Sequence, residues 1–148
     1  MKAVLQRVTS SKVSINNKII GQISQGFNIL LGIGQDDSES LVNKFAEKIV
    51  NLRVFNDEAG KMNKSLLEIK GEVLLISQFT LCADTSGGHR PSFSKVAAPE
   101  KAEAIYQKIA QAIRGYGVKV ETGEFGAYMA VDIANDGPVT IILDSKSL

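Results

Sequence analysis

Two short segments hold the residue types that an acyl-transfer site needs. The first is Ser77-Gln78-Phe79-Thr80-Leu81, directly after the aliphatic run Val73-Leu74-Leu75-Ile76. That run, opened by Gly71, fits a strand buried on both faces, and polar residues at its exit can present hydroxyls and backbone N–H groups from a rigid support. The same spacing also suits a local role, with Ser77 and Thr80 bonding nearby backbone. The second segment is Asn135-Asp136-Gly137-Pro138-Val139-Thr140. Asn-Asp-Gly is a turn signal, and beyond Pro138 the residues Val139, Ile141 and Leu143 alternate with Thr140, Ile142 and Asp144, as in a strand with one buried face. Glycine lets another group approach its backbone closely, and an X-Pro bond takes the cis form at low cost. Gly137 and Pro138 therefore either aim two carbonyls at a ligand or form a hairpin turn entering an edge strand.

Side chains for covalent hydrolysis are scarce. Ser77 and Thr80 are candidate nucleophiles, but the sole histidine, His89, falls in the glycine-rich stretch Gly87-Gly88-His89-Arg90-Pro91, which makes a Ser-His-Asp triad unattractive. A small-ester hydrolase using Ser77 or Cys82 with His89 stays open as an alternative. Cys82 is the only cysteine, so an internal disulfide and a thiolate zinc cluster are both ruled out, and one histidine makes no His-rich metal site. No metal and no cofactor is expected.

The elements that must position these residues are legible from pattern. Strands are predicted over Lys2–Ile15, Lys18–Ser24 after an Asn16-Asn17 turn, and Phe27–Ile33 after Gly26. Asp36, Asp37 and Ser38 offer a helix N-cap, followed by Leu41, Val42, Phe45, Ile49 and Leu52 at helical spacing. Arg53–Phe55 reads as a short strand and 56–63 as a polar loop; Leu66–Ile69 and Glu72–Leu81 return to strand. The stretch from Ala83 to Ala98 is a long loop, a length that in a compact domain usually signals function or mobility. Pro99 opens a second helix with the stripe Ala102, Ile105, Tyr106, Ile109, Ala112, Ile113, closed by Gly115. Strands over Val118–Glu121, Tyr128–Ala134 and Val139–Leu143 complete an α/β fold: one domain over 1–148, a mixed, strongly curled sheet and two amphipathic helices. The 148 residues, 44% of them hydrophobic, suffice for one core. No apolar run is long enough for a membrane span, and the opening strand pattern is unlike a signal peptide, so a cytoplasmic protein is expected.

Taken together, the opening Met1-Lys2-Ala3-Val4-Leu5-Gln6-Arg7-Val8, Ser77-Gln78-Phe79-Thr80-Leu81, Arg90-Pro91-Ser92-Phe93 and Asn135-Asp136-Gly137-Pro138-Val139-Thr140 resemble the D-aminoacyl-tRNA deacylase family over nearly the whole chain. The resemblance implies a barrel-like sheet and a homodimer with its sites at the subunit interface. It implies hydrolysis of the ester of D-aminoacyl-tRNA, and of glycyl-tRNA, to free amino acid and tRNA. Ser77, Gln78, Phe79 and Thr80 would form the catalytic segment, with N–H groups near Phe79 and Thr80 holding the oxyanion and the terminal adenosine 2′-hydroxyl activating water. Gly137 and Pro138 would form a cis peptide whose carbonyls enter the partner's pocket and exclude L-residues, braced by Arg7, for which an ordinary surface ion pair is the competing role. Ala102, Phe125 and Met129 would line the substrate pocket, Phe125 and Met129 at its adenosine end, though apolar residues of this kind more often simply fill a core. A net charge of +1 suits a partner touched only at the tRNA 3′ end. Local patches at Lys61, Lys64 and Lys70 or at Arg90, Lys95 and Lys101 compete with ordinary solvated lysines. A non-catalytic dimeric RNA-end binder on the same fold is the main alternative.

Overall fold

The computed structural model describes residues 1–148, and its organising element is β1, Lys2–Ile15. β2 (Lys18–Ile23) pairs antiparallel with the second half of β1, and β3 (Gly26–Gly32) with the first half. Asn16 and Asn17 make the joining turn with φ of 48° and 64°, as the dipeptide predicts. β3 runs parallel to β6 (Glu72–Ser77), and β6 parallel to β7 (Val120–Thr122). The last strand, β8 (Ala130–Asp144), takes the remaining edge of β1 along both halves. A two-residue β4 (Phe55–Asn56) and β5 (Met62–Lys64) form a separate small hairpin.

The sheet curls into a nearly closed barrel because its strands are apolar on both faces. In β6, Val73 and Leu75 belong to the large core cluster, while Leu74 and Ile76 pack with Val8, Val13 and Ile23 in a smaller one. The large cluster lies under α1 (Val42–Asn51) and α2 (Pro99–Arg114), which bury Phe45 and Ile49, and Ile105, Tyr106 and Ile109, at the helical spacing seen in the sequence. The small cluster is covered by Met129, Val131 and Ile133 from β8 and the segment before it. Pro99 opens α2, where a missing N–H costs nothing.

Several expectations need correction. Leu66–Ile69 is not a strand: Ser65 N donates to Glu68 Oε2 (2.7 Å) and Glu68 N to Ser65 Oγ (3.3 Å), a reciprocal cap that winds this segment into helical turns. The polar stretch 56–63 is not all loop, since Asp57 Oδ1 accepts from Ala59 and Lys61 N and closes the β4–β5 hairpin. α1 is preceded by a 3-10 turn, Glu39–Leu41, capped by Ser38, and ends before Leu52. β6 ends at Ser77 rather than Leu81, and β7 lies at Val120–Thr122. Asn135-Asp136-Gly137 is no hairpin turn: β8 pairs with β1 before and after it, so the chain never reverses.

Gly26 opens β3 against β6, and a Cβ built there stands 1.9 Å from the Glu72 carbonyl oxygen. Gly26→Ala is expected to push the two strands apart at about 1–3 kcal/mol, the usual cost of overpacking. A thermal melt should show a midpoint several degrees lower; an unchanged midpoint would contradict this packing.

Candidate active site

Where β6 ends, the backbone changes form. Ser77 lies opposite Leu31 in β3, and Gln78 N still donates to the Leu31 carbonyl (2.8 Å). The chain then winds into a 3-10 turn, Phe79–Cys82, with Leu81 N bonded to the Gln78 carbonyl (3.2 Å). Gly32 makes room for it, because a Cβ there would stand 2.9 Å from both Gln78 O and Leu81 Cβ. The leading N–H groups of such a turn, those of Phe79 and Thr80, have no acceptor inside it. Gln78 Nε2 donates to Thr80 Oγ1, which fixes both side chains.

This turn forms one wall of the largest cavity, about 870 Å³ and mostly apolar. It brings together Ser77, Gln78, Phe79, Thr80, Ala102, Phe125 and Met129, seven of the ten residues singled out in the sequence. Ala102 lies on the first turns of α2, which Tyr106 locks to β6 by donating its hydroxyl to the Leu75 carbonyl (2.7 Å). Burial pushes that phenol up to about 12, so it stays a neutral donor. Phe125 packs on the same ring, centroids 6.0 Å apart. Met129 folds over Gly123, where a Cβ would meet its sulfur at 2.5 Å.

The remaining wall comes from the loop of residues 83–98, and sequence reasoning missed its lining residues Phe93, Val96 and Ala97. Asp84 and Ser92 exchange backbone bonds at 2.8 Å, and Lys95 Nζ binds Asp84 Oδ2 at 2.7 Å. That bond, with those from Ser86, holds the Asp84 carboxyl far below the usual carboxylate range, so it stays ionised at neutral pH. Ala97 N reaches the Ile33 carbonyl (3.0 Å), pinning the return of the loop to the end of β3. Phe93 then meets Phe79 edge to face, centroids 5.1 Å apart. A lone aromatic in a long polar loop is the signal that could have pointed to it.

Arg7, Gly137 and Pro138 are not in this cavity. Register explains why: Arg7 faces Phe27, which faces Val73 near the start of β6, whereas Ser77 faces Leu31 at its far end. Gln6 pairs with Thr140 and Val8 with Asn135, so Asp136–Val139 bulge opposite Arg7 alone. Pro138 is accommodated there because the ladder is interrupted. The Gly137–Pro138 peptide is cis, Gly137 has φ 119°, and both residues are exposed. Arg7 is 6% exposed and is no ordinary surface pair. Its Nη1 donates to the Val54 carbonyl (2.7 Å) and Asn56 Oδ1 (3.2 Å), and its Nε to the Asp136 carbonyl (3.3 Å), with Asp136 Oδ2 at 3.1 Å.

A family model described as D-Tyr-tRNA(Tyr) deacylase matches residues 4–144. The chain belongs to the D-Tyr-tRNA(Tyr) deacylase family. It is thereby a hydrolase. A D-aminoacyl-tRNA deacylase of Fervidobacterium nodosum is 56% identical, covering 100% of this chain and 99% of its own. A solved structure described as c-Myc DNA Unwinding Element Binding Protein matches with TM-score 0.91 at 41% identity, over 97% of this chain and 98% of its own. Another, described as a probable eukaryotic D-amino acid tRNA deacylase, matches with TM-score 0.83 at 16% identity, over 96% and 97%, and shares the fold.

Against this deacylase-family framework the serine or cysteine hydrolase alternative fails on geometry. His89 is exposed in the loop and is absent from the cavity that Ser77 lines. Cys82 lines a different, smaller cavity beside Asp37 and Lys95, and burial pushes its thiol up, away from the reactive thiolate.

Removing the Arg7 guanidinium leaves the Val54 carbonyl without its donor and releases the bulge that holds Gly137. Arg7→Met is expected to cost about 2 kcal/mol, the scale of hydrogen bonds from a charged group. Thermal unfolding measures the loss, and stability equal to the parent protein would show that the bulge is held by other means.

Proposed function

We propose that this protein hydrolyses the ester of D-aminoacyl-tRNA, and of glycyl-tRNA, in the cytoplasm. Water adds to the ester carbonyl carbon, the oxyanion accepts hydrogen bonds from the Phe79 and Thr80 N–H groups, and collapse releases the amino acid carboxylate and returns a proton to the ribose oxygen. The observation that carries this reading is the turn after Ser77, whose leading N–H groups belong to a wall of the large apolar cavity in a chain of this family. No histidine lies in that cavity, and the 2′-hydroxyl of the terminal adenosine is the group proposed to activate water. Ala102, Phe125 and Met129 would enclose the terminal nucleoside.

The chiral filter is proposed to come from a second copy of the chain. Gly137 and Pro138 are exposed in the middle of β8, away from their own cavity, and the outer edge of β8 has no strand partner. Ile142 on β8 is 73% exposed, an apolar side chain that a homodimer would cover. Carbonyls of the partner's bulge facing the α-carbon would leave space for a D-side chain, clash with the Cβ of an L-residue, and pass glycine.

Purified protein should release D-tyrosine from D-tyrosyl-tRNA and leave L-tyrosyl-tRNA intact, and His89→Ala and Thr80→Ala should keep most of this activity. A tRNA ending in 2′-deoxyadenosine should be cleaved slower by on the order of a hundredfold or more, the scale of general acid–base assistance. An inactive, folded His89→Ala protein or normal turnover of the deoxy substrate would reject this mechanism. In sedimentation the active species should be a dimer, and a fully active monomer would reject the shared site.

A second reading, nucleic-acid binding without turnover, draws on the 41% identical structure described as a DNA-unwinding-element binder. It predicts stoichiometric binding of D-tyrosyl-tRNA with no release of amino acid.

A further inference from the structure

Four large aromatic side chains stand substantially in water: Phe79, Phe93, Tyr116 and Tyr128. Three of them, all but Tyr116, line the same cavity. Phe79 and Phe93 partly shield each other. Tyr128 has no such partner: it is 97% exposed, and it follows a turn in which Ala127 N bonds the Glu124 carbonyl and Gly126 has open space around it. Neither packing nor a hydrogen bond within the chain accounts for a phenol ring there.

We propose that Tyr128, with the Phe79–Phe93 pair, is a stacking platform for the unpaired nucleotides that precede the terminal adenosine of the tRNA acceptor end. The inference rests on the deacylase reading of the cavity. If the cavity takes the terminal nucleoside and its aminoacyl group, the preceding nucleotides lie at its mouth, where these rings stand. Bases of a single strand expose flat faces, and aromatic rings hold them without regard to sequence. The phosphates find a matching charge in Arg90, which is exposed, lies in the loop that presents Phe93, and takes part in none of the ion pairs of the chain. Tyr128 is thus a positioning residue for the length of RNA beyond the reacting ester.

The test compares two substrates of the full-length protein: D-tyrosyl-tRNA and the D-tyrosyl ester of adenosine alone. Tyr128→Ala should raise KM for the tRNA by about tenfold, within the range of one lost base stack, with kcat retained. It should leave hydrolysis of the adenosine ester unchanged. Tyr128→Phe, which keeps the ring, should behave as the parent on both. Equal loss on both substrates, or no change on the tRNA, overturns the platform. So does a Tyr128→Ala protein that sediments at half the parent's mass, because the ring would then belong to a subunit contact. A parent protein that cleaves neither substrate overturns the deacylase reading itself, and the platform with it; an active parent with an unresponsive Tyr128→Ala overturns the platform alone.

Discussion

Everything in this molecule is positioned against β1, which carries backbone ladders on both edges. One edge is shared by β3 and β2 in succession, and the other is taken by β8 along its length. A strand bonded in this way cannot slip by a residue without moving every side chain to the opposite face and breaking both ladders. The register therefore fixes two distances at once. It sets Arg7 and the bulge of β8 level with the start of β6, and it sets the exit of β6 level with the beginning of β1.

The cavity follows from how β6 ends. Hydrogen bonding to β3 satisfies Gln78 and stops there, and the 3-10 turn that follows leaves its own first N–H groups unpaired. The Tyr106 hydroxyl, bonded to the Leu75 carbonyl two residues before Ser77, ties α2 to the same strand. Ala102 and the Phe79–Thr80 backbone are thus held by one rigid element, the preorganised support that the proposed oxyanion site of backbone groups requires. The loop carrying Phe93 is held from outside by Asp84, whose ionised carboxylate accepts from Ser86 and Lys95 and whose backbone exchanges bonds with Ser92.

What the sequence revealed and what it hid have physical reasons. The long opening strand and both helices were legible because alternation and helical spacing extend over many residues, as in Lys2–Ile15 and Pro99–Arg114. Ser77, Ala102, Phe125 and Met129 line one cavity, and β6 is buried on both faces as its aliphatic run requires. The failures lie where a side chain overrides local pattern. Ser65 and Glu68 wind the segment Leu66–Ile69 into turns, Asp57 closes a hairpin in a polar stretch, and Arg7 converts a turn signal into a bulge within one strand. The separation of Gly137 and Pro138 from their own cavity was implied only by the family resemblance, which sends their carbonyls into a partner's pocket; local pattern does not reveal it, because it depends on the registers of β8, β1, β3 and β6 together.

That separation is the centre of the account: the cavity lies at the exit of β6, the Gly137–Pro138 bulge lies level with its start, and in the proposed function a second copy joins the two. Subunit complementation tests it most directly. A chain with its cavity blocked by Ala102→Trp and a chain with its bulge altered by Gly137→Val should each be inactive alone. Refolded together in equal amounts, half of the dimers should be mixed and each should hold one intact site, restoring about a quarter of parental D-tyrosyl-tRNA hydrolysis. Mixed material no more active than either variant alone would contradict the account and place both halves of the site within a single chain.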